Sequence, residues 1–268
     1  MSAIVSVVMP SVNSARHISD ALHSVINQSL KEFEIIVVDG GSTDGTRDIV
    51  TMLANSDSRI RLITNDDDQG PAHARCVGIR AAKGDYVAFL DADDFWLPSK
   101  LEAQVSFMRA TGTSFSYTRF RHVSENGVAV GCLVPMRHSY RFEDVLTHRG
   151  IGTLTVMIAR ELLSEDVISI WLRAGCEECV WWLLILRKGI TAQLLNEDLA
   201  RYRDTDGSLS KNQLYTLRSV WRMYRKELGL SIVRTALSYS SYIFDAGLRK
   251  LRLRLCSAIN MRWVYERR

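Results

Sequence analysis

Four continuous apolar runs punctuate the first ninety residues: Val5-Ser6-Val7-Val8-Met9, residues 33–38, residues 60–63 and residues 86–90. Runs of this length, rich in Val and Ile and bounded by turn residues, predict strands buried on both faces. Between them the apolar period changes. Ile18, Leu22, Val25 and Ile26 mark an amphipathic helix over residues 16–28, and residues 70–82 form another. The stretch Gly40-Gly41-Ser42-Thr43-Asp44-Gly45-Thr46 predicts a turn entering a helix, with Thr43 or Asp44 as N-cap. Strand and helix alternating through short links predict an open α/β fold with a mostly parallel sheet. In such sheets ligands bind beyond the carboxyl ends of the strands. Those ends hold Pro10-Ser11-Val12-Asn13, Asp39, Asp66-Asp67-Asp68 and Asp91-Ala92-Asp93-Asp94.

The second half is less regular. A helix is expected over residues 101–108 and strands over residues 115–119 and 154–158. A hairpin turn is expected at Glu125-Asn126-Gly127, a helix over residues 177–187 and a strand over residues 194–202. From Lys211 onward the pattern is helical, and Leu214, Leu217, Val220, Trp221 and Tyr224 share a face. The expected division is a catalytic domain over residues 1–208 and a basic helical tail over residues 209–268.

Charge sharpens that division. From Lys211 to Arg268 there are 13 Lys and Arg against 3 Asp and Glu, a local +10 that leaves the preceding residues at −6. An acidic body with a basic tail predicts an anionic surface as the tail's partner. The alternative is a solvated helical face or an oligomer contact. No nucleic-acid-binding module is apparent. The apolar run Val180 to Leu186 is far short of the roughly 20 residues a spanning helix needs. The start lacks the basic segment of a signal peptide, and five cysteines are an odd number. The expected setting is a reducing cytoplasm, at the inner face of the membrane.

The richest chemistry lies at the end of the fourth run. Three carboxylates within four residues repel one another, and a core gains nothing from them. Carboxylates spaced as Asp91 and Asp93 suit a hard divalent cation that keeps some water and also grips a phosphate. Asp93 and Asp94 as caps of the next helix are the plainer reading. There is no G-x-G-x-x-G, P-loop or other Gly-rich phosphate cradle, so a diphosphate at this edge needs a cation and basic side chains. Cys176 and Cys179 have no second pair at zinc spacing and are expected as free thiols. Asp66-Asp67-Asp68 is equally compatible with a solvated turn.

The segments Val5 to Asn13, Ser24 to Ser29, Phe33 to Thr46 and Phe89-Leu90-Asp91-Ala92-Asp93-Asp94-Phe95-Trp96 resemble, in order and spacing, glycosyltransferase family 2. Within it they are most similar to enzymes of bacterial surface polysaccharides, of O-antigen, capsule and teichuronic-acid type. The resemblance covers about residues 3–205. It implies a GT-A fold, an inverting mechanism, a nucleotide-diphosphate-sugar donor carrying UDP, a lipid-linked glycan acceptor and Mn²⁺ or Mg²⁺. By position it implies Pro10 and Val12 at the base, Asp39 on uracil, and Arg75 near base and phosphates. Asp91-Ala92-Asp93 matches the D-x-D segment, with Asp93 the more direct metal ligand. Glu178 of Glu177-Glu178 matches the catalytic base, and Arg203 matches an arginine of a loop closing over the donor. Departures are Val12 where the family has Tyr, Cys76 where it has Asn, and Glu178 where it has Asp. On the residues alone, a sugar-nucleotide nucleotidyltransferase and a non-catalytic sugar-nucleotide-binding module remain rivals. The former usually carries a Gly-rich basic loop after its first strand, which Pro10-Ser11-Val12-Asn13 is not.

Overall fold

The computed structural model describes residues 3–65, 70–128, 130–148, 150–169, 177–205 and 213–265, some of them, including 177–178 and 252–265, by backbone alone. Asp66-Asp67-Asp68 and Cys176 lie outside the described residues.

The expected alternation is present. β1 (Val5–Ser11), α1 (Ile18–Ile26), β2 (Phe33–Asp39), α2 (Thr46–Ser56), β3 (Ile60–Thr64), α3 (Pro71–Ala81) and β4 (Tyr86–Phe89) succeed one another along the chain. They give a parallel sheet ordered β3-β2-β1-β4. Every residue of β1 and β2 is buried, the consequence of helices covering both faces. β1 extends two residues past Met9, so Pro10 lies in the strand opposite Val38 and not in a loop. β4 pairs with β1 only as far as Val8, and a proline without an N–H is tolerated where the neighbouring strand has ended. α3 approaches β1 closely because Gly78 has no side chain; a Cβ there would meet Val8 at 2.4 Å.

Beyond β4 the sheet becomes mixed. Its elements are β5 (Phe95–Trp96), α4 (Lys100–Thr111), β6 (Phe115–Val123), β7 (Val130–Leu133), β8 (Ser139–Tyr140), α5 (Phe142–Thr147), β9 (Val156–Ala159), α6 (Glu165–Ile168), α7 (Glu177–Arg187) and β10 (Ala192–Arg203). The order continues β4-β9-β6-β10-β5, with β9 antiparallel to β4 and β6, and β10 parallel to β6. Trp181 and Trp182 of α7 are core residues packed on Phe89 and Phe115.

The tail forms α8 (Gln213–Arg222), continued by a π-turn, and α9 (Ile232–Tyr265). Val220, Met223, Tyr224, Leu228 and Tyr242 join the same core cluster as β4 and α7. The Tyr224 hydroxyl donates to the Leu146 carbonyl of α5. The boundary expected near residue 208 lies outside the described residues. No helix among the described residues is long and apolar enough to cross a membrane. Cys76 and Cys179 are free. Cys132 is disulfide-bonded, which an odd cysteine count and a reducing setting did not lead us to expect.

Candidate active site

The crevice is built where β1, β2 and β4 end. At the end of β1 the backbone turns through Asn13, in the left-handed region at φ +48°. Its side-chain carbonyl accepts from the Thr43 N–H at 2.9 Å, while its own N–H donates to Ser42 Oγ at 2.8 Å. The loops after β1 and β2 are thus joined. Gly45, at φ +89°, is the N-cap position of α2. Asp44 sits just ahead of it and accepts from the Thr46 N–H at 3.1 Å and from Ala15 N–H at 3.0 Å. Val12 is half exposed at the rim.

Asp39 is fully buried. Its Oδ1 accepts from the N–H groups of Gly41 (3.2 Å) and Ser42 (3.0 Å) and from Arg47 Nε (2.5 Å), and its Oδ2 accepts from Ser42 Oγ. Burial alone would raise its pKa, but these hydrogen bonds and the Arg47 charge outweigh it and hold the carboxyl below its ordinary value. In this state Asp39 organises the loop after β2. Arg47 and Ser42 were not anticipated from the sequence, because their importance comes from Asp39. Opposite Asp39 in register lies Ser11, whose buried hydroxyl has no partner. A buried, unpaired hydroxyl at a crevice mouth is a group available to a ligand or a water.

The three carboxylates after β4 have separate environments. Asp91 Oδ1 accepts from Arg75 Nη2 at 2.5 Å, and Arg75 is itself buried on α3. Arg75 therefore meets the acidic loop directly. Asp93 is largely removed from water, and burial and then the neighbouring Asp91 charge raise its pKa. Its Oδ2 accepts from Thr205 Oγ1 at 3.3 Å. Asp94 is not a helix cap: α4 begins at Lys100, with Ser99 as its N-cap residue. Asp94 is buried within the fold, where its Oδ1 accepts the Arg203 N–H at 2.8 Å. Burial, then Asp91 and Asp93, push its pKa well up. Ala92 between them is buried.

Arg203 occupies a different position from that expected of a residue in a mobile lid. It is the last residue of β10 and only 3 % exposed. Its Nε donates to the Asp93 carbonyl at 2.7 Å, Nη1 to the Glu125 carbonyl at 2.6 Å and Nη2 to Asp20 Oδ2 at 3.3 Å. Its guanidinium lies 5.4 Å from the centre of the Phe95 ring. One side chain thereby joins the acidic loop, the β6–β7 hairpin and α1. Arg16 and Glu125 add an ion pair between the same hairpin and the loop before α1.

Cys76, at the position of the family's Asn, points away from this chemistry. It is buried and its thiol donates to the Ile168 carbonyl at 2.8 Å, and burial pushes its pKa up to about 11. Glu178 lies in the first turn of α7, one helical turn from Trp181 and Trp182, which pack on Phe89 just before the acidic loop. Its side chain lies outside the described residues.

Among the described residues no group of three or more His, Cys, Asp or Glu is arranged to hold a metal ion by itself. A cation of the Mg²⁺ or Mn²⁺ kind needs only one or two protein carboxylates beside substrate phosphates and water. Asp93, with Asp91 beside it, supplies the oxygen donors such an ion prefers. Asp91 is paired with Arg75, whereas Asp93 has no cationic side chain bonded to its carboxylate among the described residues.

Residues 6–153 match glycosyl transferase family 2. The chain belongs to that family. It is 36 % identical over 249 residues to TuaG of Bacillus subtilis, a glycosyltransferase assigned to teichuronic acid biosynthesis, covering 92 % of this chain and 98 % of that one. It is 35 % identical over 219 residues to WfgD of Escherichia coli, a UDP-Glc:alpha-D-GlcNAc-diphosphoundecaprenol beta-1,3-glucosyltransferase, covering 81 % and 84 %. Among solved structures, S. aureus TarS in complex with UDP-GlcNAc superposes with a TM-score of 0.68 at 19 % identity, covering 91 % of this chain and 72 % of that one. A mannosyltransferase of Pyrobaculum calidifontis in complex with GDP-Man and Mn²⁺ gives 0.68 at 17 % identity, covering 96 % and 74 %. The fold is GT-A, with a C-terminal helical extension. The resemblance stated on the motifs holds, and family membership removes the nucleotidyltransferase reading.

Proposed function

We propose that this protein is an inverting, metal-dependent transferase of bacterial surface-polysaccharide synthesis. It moves a sugar from a UDP-sugar to a hydroxyl of a lipid-linked glycan at the inner face of the cytoplasmic membrane. The observation that carries the reading is the environment of the acidic loop: Asp93 held out of water, Asp91 paired with Arg75, and the whole loop clamped by Arg203. The relatives' named activities support the donor and acceptor classes.

In this reading the acceptor oxygen attacks the anomeric carbon, and the bond from that carbon to the diphosphate oxygen breaks on the opposite side. The acceptor proton passes to the Glu178 carboxylate, and the bonding pair leaves with the nucleoside diphosphate. Asp93 and Asp91 would hold a divalent cation, which would supply Lewis-acid stabilisation of that leaving charge. Asp39 and its loop, with Val12 and Pro10, line the base side, and Arg75 holds Asp91 in place. Ala92 contributes backbone between the two carboxylates. Arg203 acts on the donor through the Asp93 carbonyl, as a positioning residue. Peripheral attachment through the basic tail brings the enzyme to its acceptor.

The test is to incubate purified protein with a panel of sugar nucleotides, Mn²⁺ and an undecaprenyl-diphosphate-linked sugar. A lengthened lipid-linked product whose new bond has the opposite anomeric configuration is expected. A panel with no donor consumed would overturn the proposal and leave a non-catalytic sugar-nucleotide-binding protein.

A further inference from the structure

One long helix carries two apolar faces. On α9, Thr235, Ser238 and Tyr242 are buried. This inner face lies against the body: the Tyr239 hydroxyl donates to the Leu217 carbonyl at 3.2 Å, its ring meets Trp221 edge-on, and Arg234 pairs with Glu143 of α5. At 100° per residue, Val233, Leu237, Phe244, Leu248 and Leu251 fall within one narrow stripe on the opposite side. They are 66 %, 67 %, 70 %, 39 % and 54 % exposed. Isolated exposed apolar residues are ordinary, but five aligned over five turns, with only Ser240 and Ser241 between Leu237 and Phe244 on that side, mark an interaction surface.

The charge pattern selects what covers it. Between Ser231 and Tyr265 the sequence holds Arg234, Arg249, Lys250, Arg252, Arg254 and Arg262 against the single acid Asp245. Pairing two copies along this stripe would bring like charges together. An anionic surface with an apolar layer beneath it satisfies both features, as interfacial helices do.

We propose that α9 lies in the plane of an anionic lipid membrane through the stripe Val233, Leu237, Phe244, Leu248 and Leu251, while its Tyr239–Tyr242 face grips the catalytic domain. This rests on, and makes specific, the peripheral attachment proposed above. Val220, Met223 and Tyr224 of the preceding helical segment are turned inward, so the lipid-facing residues are a separate set. The placement also orients the enzyme. α9 packs on β7, β7 pairs with β6 up to Val123, and Val123 is in register with Arg203. The helix therefore lies against the strand layer that leads to the acidic loop.

The experiment is co-sedimentation of the full chain with vesicles of phosphatidylcholine alone or mixed with phosphatidylglycerol. Wild type is expected to sediment with the anionic vesicles and to leave them as salt rises. Phe244→Ser with Leu237→Ser is expected to weaken that partition about tenfold or more per residue while leaving thermal unfolding unchanged, since both side chains are already in water. Arg252→Glu with Arg254→Glu is expected to weaken it only on anionic vesicles. The proposal is overturned if wild type ignores anionic vesicles or if the serine variant binds as well as wild type. It is equally overturned if light scattering without lipid shows a dimer that the serine variant dissolves. Normal vesicle binding with no sugar transferred would instead sink the transferase reading and leave this one standing.

Discussion

The loop after β4 and the outer face of α9 break the usual partition of residues in opposite directions. In the loop, folding withdraws carboxylates from water: Asp94 is buried and Asp93 is mostly so. On α9, folding leaves large apolar side chains in water. Each arrangement costs stability in the isolated protein, by desolvation in one case and by unburied apolar area in the other. In the proposals above, each becomes favourable when a second component arrives, a cation with a diphosphate for the loop and a lipid surface for the helix. The difference lies in how rigidly each is held. The loop is fixed by directed hydrogen bonds from Arg75, Arg203 and Thr205, as chemistry at a defined atom requires. The α9 stripe has no such restraints, because an interface with lipid needs area and not register.

That contrast can be broken most severely at the base. Glu178→Gln is expected to lower transfer by about a hundred- to ten-thousandfold with donor binding retained, measured by turnover alongside nucleotide binding. Unchanged turnover would remove Glu178 from the mechanism. Next comes the clamp. Arg203→Ala strands the Asp93 and Glu125 carbonyls, while the exposed Asp20 turns to water, and two unsatisfied acceptors cost about 2–6 kcal/mol, read by chemical denaturation. Arg203→Lys should recover only part of this, because a lysine cannot reach three acceptors with a planar fork. Asp93→Asn is expected to reduce transfer by about a hundredfold without loss of thermal stability, since it also removes a repelling charge. A cost in stability would contradict the reading that this carboxylate is kept for a ligand.

A smaller effect sharpens the base side of the crevice. Asp39 is depressed below its ordinary value in the folded chain. The unfolded chain therefore binds its proton more readily, so the stability Asp39 contributes is full above the ordinary carboxylate value and is lost as pH falls through its folded value. Asp39→Asn is expected to cost about 1.5–3 kcal/mol at neutral pH, as charge-assisted hydrogen bonds do. The gap from wild type should narrow on acidification below the ordinary carboxylate range. A gap independent of pH would mean that the contribution is packing and not charge.

The sequence carried some of this better than the rest. β1, β2 and β4 were legible because strands buried on both faces leave unbroken apolar runs, and Asp91 and Asp93 were legible because nothing about folding explains them. β5 was not: two residues, Phe95 and Trp96, show no period, and they become a strand only by pairing with Ala200 and Arg201 of β10. Asp94 looked like a cap because a helix was expected close behind it, whereas its actual partner is a backbone N–H from 109 positions away. Arg203 was singled out by the resemblance, but its contacts depend on Asp20, Asp93 and Glu125 meeting in space, which no sequence pattern shows. The two faces of α9 merged for a similar reason. With apolar residues all round the helix, only packing shows which are covered.

The most direct measurement of the central claim is calorimetric titration of UDP into the wild type and Asp93→Asn, each with and without Mn²⁺. If the acidic loop is a diphosphate clamp, Mn²⁺ tightens UDP binding to wild type by about tenfold or more, and the gain vanishes in Asp93→Asn. Binding that is indifferent to Mn²⁺ in wild type, or a gain that survives in Asp93→Asn, contradicts it.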